Sequence, residues 1–246
     1  MIYTLSPIGG GKSSLTKILT DQLGSSAYYE DVTDGIIAPI LNKFYSNGSQ
    51  SQQQYGLALQ LAFLTKRFSQ LKVAMEEKNA VLDSSLLSDH IMCSNIHANG
   101  DMSDEEYNIY EVLNQEMQTE VNGKPWSGYP QLIIYIKISP EKEVEEISKR
   151  GRGMEMSPDL VEYYHSVNKA YEDWYTGYVG SPTIMIDRDK YDYVNNLEDR
   201  KSVLQMIYQR MRELGMLGKD EFDSLVKKLE NLKLTSISSD GIEVDA

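Results

Sequence analysis

Three consecutive glycines, a lysine and two serines are the strongest chemical signal in this chain. Residues 6–14 read SPIGGGKSS and follow a short apolar run that predicts a strand. Glycines let the backbone curl so that its N–H groups point at an anion, and a following helix adds the positive end of its dipole. Lys12 would then reach the β- and γ-phosphates of a nucleoside triphosphate, and the Ser13 hydroxyl would bind Mg²⁺. The stretch predicts a phosphate-binding loop, although Ser6 stands where the pattern G-x-x-x-x-G-K-[ST] begins with glycine.

Carboxylates end two further predicted strands. Residues 27–30 form a short run that ends in Glu30, and residues 79–85 form another strand that carries Asp83 near its end. Acidic side chains at the carboxyl end of a strand in an open α/β sheet lie in the crevice where ligands bind. Beside a phosphate loop, such acids would supply a proton acceptor and a Mg²⁺ ligand. Glu30 on its own is equally compatible with a solvated turn.

The densest positive cluster of the chain lies at residues 149–155, KRGRGME. Lys149, Arg150 and Arg152 place three cations within four residues, next to glycines. Phosphoryl transfer is stabilised mainly by positioning and charge, so a flexible basic segment of this kind would close over a transferring phosphoryl group. The alternative is a solvated helix C-terminus, where cations are also favoured.

Gln60 and Arg67 lie seven positions apart in a long helix predicted over residues 55–77. Seven residues are about two helical turns, so the two side chains share one face. They would either lie on the surface or line a cleft, where the glutamine amide would read the edge of a base.

The composition limits the partners of the protein. A chain of 246 residues with 41% apolar residues suits one α/β domain with a buried sheet. A net charge of −13 argues against nucleic acid as a partner. No apolar run approaches the ~18 residues of a membrane span. Because Met1 leads directly into a predicted strand, we expect no signal peptide. With a single cysteine, Cys93, we expect a cytoplasmic protein that has neither a membrane nor a nucleic-acid partner.

Apolar periodicity predicts alternating strands and helices. The predicted strands cover residues 2–5, 27–30, 79–85, 131–139 and 181–187. The predicted helices cover residues 13–23, 35–45, 55–77, 86–96, 103–120, 140–149, 157–178, 198–214 and 219–234. The polar stretch SNGSQSQQQ, residues 46–54, predicts a loop.

With these parts placed, residues 1–215 resemble the deoxyribonucleoside kinases, and among them the bacterial deoxyadenosine and deoxyguanosine kinases. The loop SPIGGGKSS is similar to the family's G-x-I-G-x-G-K-S, and Glu30 falls at its catalytic glutamate. Gln60 and Arg67, within QLAFLTKR, match its base-recognition helix, and the segment RGRGME that contains Arg152 resembles its lid.

The resemblance implies a role for each matched position. The implied catalytic residues are Glu30, Lys12, Arg150 and Arg152. The implied donor site is a phosphate loop and a loop that borders the adenine of ATP, namely Ile8, Gly9, Gly10, Gly11, Lys12, Ser13, Ser14, Asp187, Asp189, Lys190 and Tyr191. The implied acceptor site comprises Glu30, Tyr45, Gln60, Arg67, Asp83, Asp89 and Glu155. Ser13 and Asp83 are the expected Mg²⁺ ligands.

The resemblance also implies a fold and an activity. The fold is a P-loop kinase of the α/β class, with a five-stranded parallel sheet flanked by helices on both faces, and the assembly is a homodimer through two long helices. The activity is ATP-dependent phosphorylation of the 5′-hydroxyl of a small nucleoside substrate, a purine deoxyribonucleoside. Beyond this kinase domain of residues 1–215, residues 219–234 predict an extra amphipathic helix and residues 235–246 a disordered acidic tail.

Two positions depart from the family's pattern. Ser84 replaces an arginine that contacts phosphate near the catalytic glutamate, and Ser6 replaces the first loop glycine. A β-carbon at position 6 would strain the turn if that residue needs a positive φ. Two alternatives therefore stay open. One is a nucleoside monophosphate kinase, which shares the loop and lid, and the other is a nucleotide-binding sensor or partner protein with weakened catalysis.

Overall fold

The computed structural model describes residues 1–121, 124–125 and 129–234, and a parallel β-sheet forms its centre. The strands are β1 Ile2–Leu5, β2 Ala27–Tyr28, β3 Val81–Leu82, β4 Glu120–Val121, β5 Lys124–Pro125, β6 Leu132–Lys137 and β7 Thr183–Asp187. Five of them form one sheet in the order β2-β3-β1-β6-β7 with every pair parallel, whereas β4 and β5 form a separate antiparallel pair. The predicted five-stranded parallel sheet is confirmed.

Helices cover both faces of the sheet. They are α1 Lys12–Leu23, α2 Ile37–Phe44, α3 Gly48–Ala74, α4 Leu86–Ala98, α5 Asp104–Thr119, α6 Pro140–Arg150, α7 Val161–Gly177, α8 Leu197–Glu213 and α9 Lys219–Glu230. Side chains of β6 alternate between the two faces. Ile133 and Tyr135 pack with α2, α3, α4 and α7, while Ile134 and Ile136 pack with α1, α8 and α9. Burial on both faces explains why this strand reads as a continuous apolar run.

The prediction of a loop over residues 46–54 is wrong, because α3 already begins at Gly48. Serine and glutamine are only slightly less favourable in helices than alanine, so tertiary contacts decide the outcome. Ser51 and Gln52 are buried, and the Ser49 hydroxyl donates to Asp101 after α4. These polar side chains pack against the rest of the protein, which extends the helix through a stretch that looks like a linker.

Strands β2 and β3 are shorter than predicted, with two residues each. The chain leaves the sheet before it reaches Glu30 and Asp83. Both carboxylates therefore lie just past the carboxyl ends of their strands, beside the loop that follows β1.

The predicted C-terminal helix forms α9 and packs on the core. Leu225 and Leu229 are buried against the cluster that contains α1 and α8, and Lys78 forms an ion pair of 2.5 Å with Glu221. The predicted tail, residues 235–246, lies outside the described residues. None of the described helices is long and apolar enough to cross a membrane.

Candidate active site

A cavity of about 240 Å³ lies at the carboxyl ends of the parallel strands. In open α/β sheets this edge is where ligands bind. Its wall includes the loop between β1 and α1, Glu30 after β2, Asp83 after β3 and Arg150 at the end of α6. The main parts predicted from the sequence therefore meet in one place.

The loop after β1 has the shape of a phosphate-binding loop. Gly11 precedes α1 with a φ of 88°, in the left-handed region that favours glycine. A β-carbon there would lie 2.7 Å from the hydroxyl of Tyr193, which donates to the carbonyl oxygens of Gly10 (3.3 Å) and Gly11 (3.1 Å). The loop residues that line the cavity are those predicted, Ile8, Gly9, Gly10, Gly11, Lys12, Ser13 and Ser14. Tyr193 thus holds the backbone that should bind an anion.

Ser6 does not strain this loop. Among the described residues other than glycine, only Asn79 has a positive φ, so the condition under which Ser6 would be strained is not met. The Ser6 side chain is buried next to Gly10, where any β-carbon would overlap its hydroxyl. The Ser6 side chain therefore leaves little room for a side chain at position 10.

Lys12 lies between the loop and the two strand-end acids. Its Nζ donates to the carbonyl oxygens of Ser6 (2.9 Å) and Pro7 (3.2 Å). Burial lowers the pKa of Lys12 below its ordinary value, and the negative charges of Asp83 and Glu30 act in the opposite direction. The lysine charge is thus held close to both carboxylates.

Ser13 and Asp83, the predicted Mg²⁺ ligands, are in direct contact. The Ser13 hydroxyl donates to Asp83 Oδ2 over 2.5 Å, and the other carboxylate oxygen is buried without a hydrogen-bond partner among the described residues. Burial raises the pKa of Asp83 to about 6, although Lys12 and Ser13 lower it. Mg²⁺ binds oxygen ligands and takes one or two carboxylates from the protein. The donor set and the orphaned oxygen fit this ion.

Arg67 connects the predicted proton acceptor with the predicted base-reading acid. Its guanidinium forms ion pairs with Glu30 and Asp89 and lies over the Phe63 ring at 4.6 Å. Asp89 is fully buried and accepts a hydrogen bond of 2.9 Å from the Tyr110 hydroxyl. Burial raises the pKa of Asp89 to about 6 against the opposing effects of Arg67 and Tyr110. Asp89 does not line the cavity and reaches it through Arg67.

Gln60 lines the cavity together with Arg67, so the face they share lines a cleft. The Gln60 side chain is only 3% exposed, and its Oε1 has no hydrogen-bond partner within the described part of the chain. A buried amide oxygen without a partner is costly. The edge of a base would supply the missing donor.

The basic segment of residues 149–155 begins in the last turn of α6, and both of its arginines pair with its own glutamate. Arg150 donates to Glu155 from Nη2 (2.6 Å) and Nε (3.2 Å), and Arg152 lies 3.5 Å from the same carboxylate. The Tyr164 hydroxyl donates to the Glu155 carbonyl oxygen over 2.7 Å. Both arginines and Glu155 line the cavity, as does Tyr45. Arg150, Arg152 and Glu155 are therefore part of the cavity wall, whereas Lys149 lies in the last turn of α6 with a side chain that is 60% exposed, as at a solvated helix end.

The loop after β7 contributes to the cavity wall with other residues than those predicted to border adenine. Four residues expected to border adenine are not among the described residues that line the cavity, namely Asp187, Asp189, Lys190 and Tyr191. Asp189 instead accepts hydrogen bonds from the Ser139 backbone N–H (2.9 Å) and hydroxyl (3.0 Å) at the start of α6. Arg188 and Val194 line the cavity in their place. The available signal for Arg188 was a cation directly after a strand, at the edge where ligands bind.

Ser84, the other departure from the family's pattern, also lines the cavity. Its side chain is buried, and its hydroxyl lies 3.2 Å from that of Ser88. Among the described residues, the cations that line the cavity are Lys12, Arg67, Arg150, Arg152 and Arg188. The cavity therefore has positive charge without an arginine at position 84.

Fold and site together define a class of protein. A phosphate loop at the end of a central parallel strand, a facing carboxylate and a basic lid are the parts of a P-loop phosphotransferase. Among such proteins, a model of the deoxynucleoside kinase family matches residues 6–212. The chain belongs to this family and is a kinase, which confirms the resemblance found in the sequence.

Individual relatives cover nearly the whole chain. A deoxyadenosine kinase of Lactobacillus acidophilus is 38% identical over 88% of this chain and 99% of that protein. A deoxyguanosine kinase of Lactobacillus johnsonii is 36% identical over 92% of this chain and 99% of its own length. The structure of a deoxyadenosine kinase from M. mycoides, with dCMP and dCDP bound, has a TM-score of 0.69 at 23% identity. It covers 86% of this chain and 98% of that one, which shows the same fold.

Proposed function

We propose that the protein transfers a phosphoryl group from ATP, with Mg²⁺, to the 5′-hydroxyl of a purine deoxyribonucleoside. The observation that carries this proposal is one cavity that joins Lys12, Glu30 and the open amide oxygen of Gln60. Family membership supports the reaction class. The names of the relatives from the two Lactobacillus species support a purine acceptor.

In the proposed reaction Glu30 accepts the proton of the 5′-hydroxyl. The freed oxygen forms a bond to the γ-phosphorus of ATP while the bond to the bridging oxygen breaks, and ADP leaves with that electron pair. Lys12, Arg150 and Arg152 stabilise the charge on the transferring group. Ser13 and Asp83 would hold Mg²⁺, which when bound would neutralise further phosphate charge.

In this proposal Gln60 gives the acceptor site its preference for a purine base. An amide offers one donor and one acceptor, which pair with the edge of an adenine. Phe63 and Tyr163 line the cavity beside it and supply aromatic surface for a base, while Tyr45 and Glu155 would bind the sugar. Each partner of the base is thus a residue with little exposure to water.

A nucleoside monophosphate is a poorer acceptor for this site. It would need a cation for its own phosphate, and Arg67 is the cation of the acceptor end. Its charge is already matched by Glu30 and Asp89. Arg67 is therefore poorly suited to hold an additional phosphate.

The test offers purified protein Mg·ATP with each of the four deoxynucleosides and each of the four monophosphates, and chromatography scores the products. We expect product from deoxyadenosine or deoxyguanosine, and little from the monophosphates. Turnover of monophosphates alone would replace this proposal with the second enzyme class. ATP binding without any product would favour the sensor.

We also propose a homodimer in the cytoplasm. Helix α5 leaves Ile109, Val112 and Leu113 exposed, which supports a partner on this face. The single cysteine, Cys93, excludes an internal disulfide and suits a reducing compartment. Analytical ultracentrifugation tests the dimer, and Val112→Glu should shift it toward the monomer.

A further inference from the structure

Arg188 is a charged cavity residue that the proposed reaction does not use. It directly follows β7, its residue is 3% exposed, and it lines the cavity. Its Nη2 lies 3.0 Å from Asp192 Oδ1 and 3.7 Å from Glu146 Oε2, and its Nη1 donates to the Tyr191 carbonyl oxygen over 3.3 Å. The guanidinium is therefore held at the cavity wall between two carboxylates.

Arg188 is close to the start of α1, where the phosphate loop presents its backbone. A β-carbon built on Gly11 would lie 3.8 Å from Arg188 Nε. The guanidinium also lies over the ring of Tyr193, at 5.2 Å, and Tyr193 is the residue that braces Gly10 and Gly11. An anion bound by this loop would thus lie near Arg188.

The Lys12 ammonium group donates to the carbonyl oxygens of Ser6 and Pro7 at the start of the phosphate loop, whereas Arg188 lies beside Gly11 at its end. The charges that act on Lys12 include Asp83 and Glu30, together with Arg150. Phosphoryl transfer takes place at that end, because Glu30 is the proton acceptor in the proposed function. Because Arg188 lies beside Gly11 and Tyr193, we expect it to face the part of a triphosphate that lies away from the transferring group.

We propose that Arg188 binds the α-phosphate of the donor nucleotide, an inference that rests on the proposed function. The planar guanidinium matches phosphate with two parallel hydrogen bonds. The side chains of its present partners are partly exposed, Asp192 at 41% and Glu146 at 23%, so water can replace the guanidinium around them. Arg188 exchanges these carboxylates for phosphate when the donor binds.

Arg200 shows what a purely structural arginine looks like at the same loop. Its Nε donates to the Tyr193 carbonyl oxygen (2.8 Å) and its Nη2 to that of Val194 (2.7 Å). It is 2% exposed and is not among the described residues that line the cavity. Arg200 supports the backbone, whereas Arg188 holds side-chain carboxylates at the cavity, and the two form a matched pair for an experiment.

Calorimetric titration with Mg²⁺ and the ATP analogue that has a β,γ-imido bridge measures donor binding without turnover. We expect Arg188→Met to weaken this binding by about 10- to 100-fold, as for loss of hydrogen bonds to a charged group. ADP should lose the same factor, because it keeps the α-phosphate, and deoxyadenosine affinity should stay unchanged. A loss for the triphosphate analogue alone would assign Arg188 to the γ-phosphate and overturn the proposal. This result is independent of the test of the proposed function. Arg188→Met can keep full donor affinity although the native protein phosphorylates a nucleoside, and it can lose donor affinity although no nucleoside is phosphorylated.

Two controls separate direct binding from indirect effects. Arg200→Met should lower the melting temperature but change donor affinity by less than about twofold. Equal losses of donor affinity in both variants would show that only loop stability matters, which contradicts the proposal.

Glu146→Gln added to Arg188→Met should not restore donor affinity, since restoration would mean that Arg188 only neutralises Glu146. If Arg188→Met does not fold, Arg188→Lys should fold and bind the analogue several-fold more weakly, and unchanged binding would overturn the proposal.

Discussion

The two ends of the cavity hold a buried arginine in the same way, between two carboxylates, but differ in the burial of one of those carboxylates. At the acceptor end, Arg67 lies between Glu30 and Asp89, and at the donor end Arg188 lies between Glu146 and Asp192. The Asp89 side chain is fully buried, whereas that of Asp192 is 41% exposed. The acceptor end thus contains one carboxylate without contact to water, whereas both carboxylates of the donor end are partly exposed.

This difference decides what each arginine can do. Buried charges depend on one another, because removing either partner leaves an uncompensated charge without water. Carboxylates at the surface can be rehydrated, so their ion pairs contribute little and exchange readily. A fixed Arg67 suits the recognition of one base, and an exchangeable Arg188 suits a donor that is replaced after every turnover.

The largest expected difference between the two ends is the loss of unfolding free energy in Arg67→Met compared with that in Arg188→Met. Loss of this cation leaves Asp89 buried and uncompensated, which should cost about 3–5 kcal/mol of unfolding free energy. Arg188→Met should cost less than about 1 kcal/mol through its ion pairs, because their carboxylates are partly hydrated. Urea denaturation of both variants at neutral pH measures this. Similar losses in the two variants would break the comparison, and Asp89→Asn added to Arg67→Met should recover part of the loss.

A smaller effect concerns the dependence of the unfolding free energy on pH. Burial raises the pKa of Asp89 to about 6 from an ordinary 3.8. For Asp192, burial alone would raise the pKa, but hydrogen bonds from Asn195 and the charge of Arg188 outweigh it and lower the pKa. An acid whose folded pKa is raised stabilises the fold below its unfolded pKa and loses that stabilisation as pH rises through the folded value. The unfolding free energy should therefore lose this contribution between about pH 4 and 6.

Variants at the two ends test this pH dependence by denaturation across the same range. Asp89→Asn should reduce the decrease of the unfolding free energy over this pH range without abolishing it, because burial also raises the pKa of Asp83 to about 6. Asp192→Asn should leave the slope unchanged, since its lowered pKa lies below the window. If Asp192→Asn changed the pH dependence of the unfolding free energy and Asp89→Asn did not, the comparison between a buried Asp89 and an exposed Asp192 would be contradicted.

The smallest expected effect is that of Glu146→Gln. This carboxylate is 23% exposed and lies near the site where we expect the triphosphate. Removing its charge should strengthen donor binding by less than about threefold, since partly exposed charges interact weakly through water. Calorimetric titration measures the change, and a loss of affinity would mean that Glu146 is needed to orient Arg188.

Local patterns carried most of the prediction. The phosphate loop could be predicted because strand, glycines, Lys12 and helix are contiguous. Gln60 and Arg67 could be placed on one face because helical periodicity determines it, and Glu30 and Asp83 because they follow strands. Each of these inferences needs only one segment and its immediate neighbours.

Contacts between segments that are distant in the sequence could not be predicted from such local patterns. The start of α3 at Gly48 depends on the contact of Ser49 with Asp101, and no local pattern contains it. Arg188 directly follows a strand, which is a local signal, but its contact with Glu146 on α6 depends on packing that no local pattern contains. The depth of Asp89 behind Arg67 is likewise a property of packing between helices.

The central claim is that Glu30 accepts the proton of a nucleoside hydroxyl in this cavity. The most direct measurement compares the rate of ATP-dependent deoxyadenosine or deoxyguanosine phosphorylation by the native protein and by Glu30→Gln, with donor and nucleoside affinities measured alongside. We predict that kcat falls by about 10²–10⁴-fold, the contribution of a general base, while the two affinities change little. A Glu30→Gln variant that keeps its rate to within about tenfold would contradict the account.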